Sequence, residues 1–330
     1  MASAGNDWSR ATPEELARQL QAVAANIGSV LFGKQDVVRL ALTALTAEGH
    51  LLVEDLPGVG KTTLAKALAH SLGLESRRVQ FTADLLPSDL TGAMVLDRGE
   101  GAPVFRPGPL FTNILLADEL NRASPKAQSA LLEAMEEGQV SVDGTTYRLP
   151  RPFMVIATQN PFDAAGTYPL PFGQRDRFLL RISVGYPGRQ AEDRLLATVG
   201  ARPRPEDLPV MGGPALLAEL AEGADAVHVS AEIRAYILDL TEATRHHPNL
   251  TVGASPRASL ALLRAATGFA VTAGRAYVVP DDVKAVAVAV LGHRLAPTAA
   301  AELGGFSSLQ LVHELLATVP VRVPSSAPTN

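Results

Sequence analysis

The sequence predicts an α/β domain built on a parallel sheet, followed by a domain made of helices. Three observations predict it. Five apolar runs of strand length lie in the first part of the chain: HLLVE (50–54), RVQF (78–81), NILLAD (113–118), FMVIAT (153–158) and FLLRIS (178–183). Several are apolar on both faces, as strands of a buried parallel sheet are. Helical patterns fall between some of these runs, and beyond Tyr186-Pro187-Gly188 the strand-like runs stop while the helical ones continue. The boundary is therefore expected near residue 186, with an α/β domain over 1–186 and a helical domain over 187–330.

Taken in order, residues 1–11 read as a flexible tail. Thr12-Pro13-Glu14-Glu15 is a helix start, with Thr12 as N-cap, Pro13 at the first helical position and Glu15 closing a capping box. Leu16, Leu20, Val23 and Ile27 then recur at helical spacing until Gly28. A second helix over about 34–48 puts Val37, Leu40, Ala44 and Leu45 on one face and ends at Gly49. Between the strand runs, helices are expected over 60–72 and 125–137, the latter with Ser124 as N-cap and Pro125 behind it. Two segments break the rhythm. Residues 92–110 are rich in Gly and Pro and read as an inserted loop or hairpin. Residues 139–149 alternate around Asp143-Gly144, a hairpin signal. Helices are then expected over 188–199, 214–222, 230–245, 256–273, 280–294 and 308–318, with Pro/Gly-rich stretches at 200–213 and 295–305. Residues 321–330 read as a disordered tail.

Composition bounds the class. A chain of 330 residues with 47% hydrophobic and 19% charged residues is ordinary globular protein, long enough for two domains and a core that needs no staple. There is no cysteine, which excludes disulfides and thiolate metal sites. The net charge of −5 leaves no global basic footprint for nucleic acid. The opening MASAGNDWSR lacks the layout of a signal peptide, and no apolar run is long enough to span a bilayer. A soluble, cytoplasmic protein is expected.

The most informative stretch is EDLPGVGKTTLAKALA (54–69), which stands between an apolar strand and a helix. Strand, glycine-bearing loop and helix N-terminus together form a phosphate cradle, because bare N–H groups and the helix dipole face the anion. Pro57, Gly58, Val59, Gly60, Lys61, Thr62 and Thr63 are its candidate residues. Gly58 and Gly60 let the backbone approach, Lys61 can reach the outer phosphate oxygens, and the Thr62 hydroxyl can ligate Mg²⁺. The strict pattern G-x-x-x-x-G-K-[ST] wants glycine where Asp55 stands.

Downstream, NILLAD ends in Asp118, followed by Glu119. Beside a phosphate loop such an acid holds the Mg²⁺ shell and its neighbour can polarise a water. MVIATQNP (154–161) ends in Thr158, Gln159 and Asn160, on the edge where ligands of parallel sheets bind. Asn160 could therefore meet a terminal phosphate or the water, although an isolated Asn-Pro is more often a turn. QRDRF (174–178) offers Arg175 and Arg177, and SPR (255–257) opens a helix with Arg257. Taken alone, each arginine reads as a surface side chain or a structural ion pair.

Together these residues resemble an AAA+ ATPase, and more specifically the MoxR family, over about residues 30–320. The most specific stretches are VQFTADLLPSDLTG (79–92), FRPGPLFTNILLADELNRASPKAQSALLEAMEEGQV (105–140), VIATQNP (155–161), GASPRA (253–258) and VPDDVKAVAVAVLGHRL (279–295). The resemblance implies a P-loop sheet domain with two inserted hairpins, as in the helix-2-insert group, followed by an all-α lid. It implies ATP and Mg²⁺ as cofactors. Lys61 and Thr62 stand as Walker A, Asp118 and Glu119 as Walker B, Asn160 as sensor 1, Arg257 as sensor 2, and Arg177 as the arginine finger for a neighbouring subunit. Phe172-Gly173-Gln174-Arg175 departs from the usual Glu-Ala-Gln-Leu, so Arg175 competes with Arg177 for that role. The resemblance further implies a homo-hexameric ring, a partner bearing a von Willebrand factor type A domain, and Mg-dependent ATP hydrolysis coupled to remodelling of a protein client in complex assembly or metal-cofactor insertion. A magnesium-chelatase-like ATPase subunit and an AAA+ nucleic-acid motor are the alternatives. Against the second stand the acidic balance, the lack of cysteine for a zinc module, and an insert without the aromatic loop motif of AAA+ transcription activators.

Overall fold

A computed structural model describes residues 11–96, 103–161, 166–198 and 203–321. Of the tails expected over 1–11 and 321–330, residues 1–10 and 322–330 lie outside the described residues, as does the tip of the first insert. Ala11 and Val321, at the inner ends of those tails, pack against the core.

Helix α1 (Pro13–Gly28) starts at the expected capping box: the Glu15 N–H donates to Thr12 Oγ1 at 3.3 Å and the Thr12 N–H donates to Glu15 Oε2 at 2.8 Å. Next come α2 (Gln35–Thr46), β1 (Leu51–Glu54), α3 (Lys61–Ser71), β2 (Ser76–Gln80) and α4 (Pro87–Thr91). The first insert is a hairpin of β3 (Gly92–Leu96) and β4 (Pro103–Pro107). Then follow β5 (Ile114–Asp118), α5 (Pro125–Glu137), the second hairpin β6 (Gln139–Val142) and β7 (Thr145–Arg148), β8 (Met154–Gln159), α6 (Phe172–Arg175) and β9 (Leu180–Ile182). The remainder comprises α7 (Arg189–Ala197), α8 (Pro214–Ala226), α9 (Ala231–Arg245), β10 (Leu250–Val252), α10 (Pro256–Thr272), α11 (Pro280–Leu291), β11 (Ala296–Pro297), α12 (Ala299–Leu303) and α13 (Ser308–Thr318).

The differences from expectation are short elements. Helices α4, α6 and α12 span too few residues to display a 3.6-residue period. Helix α12 falls inside the 295–305 stretch read as a separator, and the Ala301 N–H donates to its N-cap, Thr298 Oγ1, at 3.2 Å. The helical part also holds one antiparallel pair, β10 with β11.

The five-stranded sheet has the order β2-β5-β8-β1-β9, with every neighbouring pair parallel. Its side chains alternate between two cores. Leu51, Val53, Ile114, Leu116, Met154 and Ile156 point into one, and Leu52, Leu115, Ala117, Val155 and Ala157 into the other. The second core is closed by α5 and the roots of both hairpins. Phe105 of the first hairpin stacks on Tyr147 of the second, with centroids 3.9 Å apart.

The first core is continuous with the helical part. Helices α1 and α2 pack on α10, and α8 and α11 close around it. At the α2–α10 crossing, a Cβ on Gly268 would lie 2.9 Å from the Thr43 carbonyl oxygen, so only glycine lets the helices approach this closely. Arg264 Nη2 donates to the Ala47 carbonyl at 2.6 Å, satisfying the end of α2. Among the described residues no helix is long and apolar enough to cross a membrane.

His50 joins the two layers of the second core. Its Nδ1 accepts from the Val155 N–H and its Nε2–H donates to the Met135 carbonyl, both at 3.0 Å. Burial pushes its pKa down to about 4 from 6.5. The unfolded chain takes up this proton first, so the contribution is complete above pH 6.5 and is lost as pH falls toward 4. At 1.36 kcal/mol per pKa unit the loss is about 3 kcal/mol. Denaturant unfolding should show His50→Gln less stable at neutral pH and less sensitive than the wild type to acidification over that window. Parallel pH dependences would remove His50 from this role.

Candidate functional site

Parallel pairing brings the carboxyl ends of three strands together. Val53 of β1 is in register with Thr158 of β8, and Ala117 of β5 with Ala157. The loop after β1, Asp118-Glu119 after β5 and Asn160 after β8 therefore meet on one edge. They enclose a cavity of about 370 Å³ lined by Pro57, Gly58, Gly60, Lys61, Thr62 and Thr63 with Asp118, Glu119 and Asn160. Val59 does not line it, and its side chain packs on the core instead. Gly60 caps α3 at φ +106°, a conformation that side-chain-bearing residues rarely adopt. Lys61 Nζ donates to the Asp55 carbonyl at 2.8 Å. Burial lowers the Lys61 pKa, against the opposing pull of Asp118, Asp55 and Glu119.

Each acid is held by residues that sequence reasoning did not single out for the site. Thr158 Oγ1 donates to Asp118 Oδ1 at 2.5 Å, and Arg78 Nη2 and Nε donate to Oδ2 at 2.7 and 3.1 Å. The Glu119 N–H donates to the same Thr158 hydroxyl at 2.9 Å. Glu119 itself is left-handed, at φ 55° and ψ 49°, a strain of about 1–3 kcal/mol in a residue with a side chain. The turn after it is secured by the buried Gln128 amide, which donates to the Leu120, Ala123 and Tyr168 carbonyls. Arg122 Nη1 reaches Glu119 Oε2 at 3.2 Å. Thr158 stands one pleat from Asn160 in the same motif, so its polarity at a strand end was the available signal. Arg78 gave none, because an exposed edge-strand arginine is commonplace.

Asp55, the departure from the strict loop pattern, is 7% exposed and does not line the cavity. Its Oδ2 accepts from Gly185 N–H at 2.6 Å and Ser183 Oγ at 2.8 Å, and its Oδ1 accepts from Leu56 N–H at 2.8 Å. Burial alone would raise its pKa, but these donors outweigh burial and the net shift is downward. The acid is therefore a pin between the start of the loop and the segment that leaves β9 for the helical part.

The candidate arginines lie elsewhere. Arg177 Nη2 pairs with Glu136 Oε2 at 3.2 Å, and Arg257 Nη2 pairs with Glu136 Oε1. All three line a second cavity, of about 580 Å³, and neither arginine lines the first. Arg175 lines neither cavity, and its guanidinium lies 5.2 Å from the Phe172 ring centroid.

The donor set in the first cavity suits Mg²⁺. Thr62, Asp118 and Glu119 offer hard oxygen atoms, and the Asp118 carboxylate, with three hydrogen bonds against about four lone-pair sites, keeps acceptor capacity. Among the described residues no group of three or more His, Cys, Asp or Glu side chains is placed to hold a metal ion by itself.

Comparison with known proteins bears on this geometry. The model of the ATPase family associated with various cellular activities (AAA) matches residues 50–180, and an AAA lid domain model matches 242–310. The chain is 44% identical to the uncharacterised protein YeaC of Bacillus subtilis, covering 95% of this chain and 98% of that one. It is 39% identical to the chaperone MoxR1 of Mycobacterium tuberculosis, covering 91% and 81%. A crystal structure of a presumed ATPase from Cytophaga hutchinsonii matches with a TM-score of 0.87 at 36% identity, covering 93% and 96%.

Restoring the strict loop pattern with Asp55→Gly removes three hydrogen bonds to a buried carboxylate. It should cost about 2–3 kcal/mol of stability and weaken nucleotide binding. Thermal unfolding and calorimetric titration with ATP would check this; an unchanged melting temperature would show that Asp55 is not a pin.

Proposed function

This chain belongs to the MoxR family of AAA+ ATPases, and we propose that it hydrolyses ATP in a ring of identical subunits to remodel a partner protein. The observation that carries this reading is the division of the charged side chains between two cavities. The phosphate loop, Asp118, Glu119 and Asn160 share one, while Arg177 and Arg257 share the other, on Glu136. A subunit alone then has a nucleotide site with Lys61 and Arg78 but without Arg177 and Arg257. Packing such subunits head to tail, the second cavity of one facing the first cavity of the next, supplies them.

In this mechanism the loop N–H groups and Lys61 bind the phosphates, and the helix α3 dipole adds to them. Mg²⁺, when bound with ATP at Thr62 and Asp118, supplies charge neutralisation of the phosphates. Thr158 and Arg78 fix the Asp118 carboxylate. Glu119, held in its kinked conformation, accepts a proton from the attacking water, which Asn160 orients. Arg177 from the next subunit stabilises charge on the transferred group, with Arg257 beside it. Glu136 is the anion these arginines hold beforehand. Such partly exposed ion pairs are each worth about 0–1 kcal/mol, so the more highly charged triphosphate can take both guanidiniums from it.

Remodelling of a protein is supported by the chaperone among the relatives and by the first hairpin, where Leu96 and Val104 are exposed at 72% and 43%. The work belongs in the cytoplasm, on a client engaged with a partner bearing a von Willebrand factor type A domain. Complex assembly and metal-cofactor insertion are the tasks this reading covers.

Lys61→Ala should abolish ATP binding in calorimetry. Glu119→Gln should bind ATP yet lose about 10²–10⁴ in turnover. Arg177→Ala should lose about 10³–10⁵ in turnover and regain it when mixed with Lys61→Ala, because the two variants damage different faces of each junction. Mixed rings that form but do not recover activity would contradict delivery between subunits.

A further inference from the structure

Arg294 lies just beyond α11, and its side chain is 3% exposed. A guanidinium has five N–H donors, and here each has an acceptor. Nε donates to Asp176 Oδ1 at 2.6 Å, and Nη2 to the Asp176 and Phe178 carbonyls at 3.1 and 2.6 Å. Nη1 donates to the Leu179 carbonyl at 3.1 Å and to the Val290 carbonyl. Four of these acceptors belong to residues 176–179, the segment that carries Arg177. Two further groups of the helical part hold the same segment. Ser255 Oγ, the N-cap of α10, donates to Asp176 Oδ2 at 3.3 Å, and His293 Nε2 donates to the Phe178 carbonyl at 3.0 Å. Burial pushes the His293 pKa well down, so the ring is neutral and makes that contact as its Nε2–H tautomer.

Burying a cation costs several kcal/mol unless its partners are complete. Here four of the five contacts go to one short segment, residues 176–179, and the fifth stays on α11. The geometry points to Arg294, acting through Asp176, as the positioning residue for Arg177: it ties the finger to the lid. Arg257 opens the lid helix whose N-cap holds Asp176, so both arginines are tied to the lid of their own subunit, while the Leu179 N–H donates to the His50 carbonyl at 2.9 Å and keeps the segment on the sheet as well. This rests on the proposed delivery of Arg177 between subunits.

The test uses mixed rings, with assembly checked by light scattering. Subunits carrying Lys61→Ala donate Arg177 but cannot turn over ATP; subunits carrying Arg177→Ala need a donor. Adding Asp176→Asn or Arg294→Lys to the donor should lower the complemented turnover by about 10²-fold, the scale of an error of about 1 Å in placing a reacting group. Adding Asp176→Asn to the acceptor instead should leave the complemented turnover unchanged, because that subunit's own site does not use its own finger. Asp176→Asn keeps the side-chain size and covers the case in which Arg294→Lys does not fold. Equal losses in both arms would show a general structural role and overturn the inference, as would no loss in the donor arm. If Lys61→Ala and Arg177→Ala fail to complement while rings form, the proposed function fails first, and this inference with it.

Discussion

Five strands that all run the same way must end on the same edge, and the arrangement of the candidate site follows from that constraint. Parallel register sets Val53 beside Thr158 and Gln80 beside Asp118, so a loop, an acid pair and an asparagine far apart in sequence arrive together without further instruction. The same register splits the strand side chains between two cores. One is closed by α5 and the hairpins, and the other by helices from both ends of the chain. The site edge is thus held from both faces by apolar packing, with fully buried Leu and Val side chains each contributing about 1.5–3 kcal/mol.

Onto that frame the chain adds polar pins at the points where strands become loops. Asp55 ties the phosphate loop to the exit from β9. Thr158 ties Asp118 to Glu119 across the sheet, and Arg78 closes the remaining carboxylate oxygen. Each is a hydrogen bond involving a charged or nearly buried group, in the range of about 1.5–3 kcal/mol. This is comparable to the strain stored in the Glu119 backbone. The pins and the strain belong together, since a kinked Glu119 persists only where its N–H and its following turn are both fixed.

The arginines obey a different logic. Arg177 and Arg257 come from segments eighty residues apart in the sequence and share the two oxygens of Glu136 on a partly exposed surface. Those contacts are weak by their exposure, whereas the Arg294 network behind them is buried and complete. A loosely held head on a rigidly held base suits the exchange of one anion for another that is proposed for these arginines.

The sequence by itself determined the strands, the longer helices, their caps and the residues of the phosphate loop. These are local properties: strand hydrophobicity, helical period, Thr12, Ser124 and Ser255 at helix starts, glycine where the backbone turns left-handed. It also carried Asp118, Glu119 and Asn160, because each ends an apolar strand. It did not carry α4, α6, α12 or the β10–β11 pair, whose few residues show no period. It misjudged the weight of Asp55, which reads as a flaw in a pattern until Ser183 and Gly185 are seen against it. Tertiary structure alone decided that α1 and α2 share a core with α10, that Arg177 and Arg257 meet on Glu136 away from the loop, and that Arg294 holds residues 176–179. Partners more than a hundred residues apart leave no periodic trace, since a pairing between distant side chains constrains no spacing that a sequence can display.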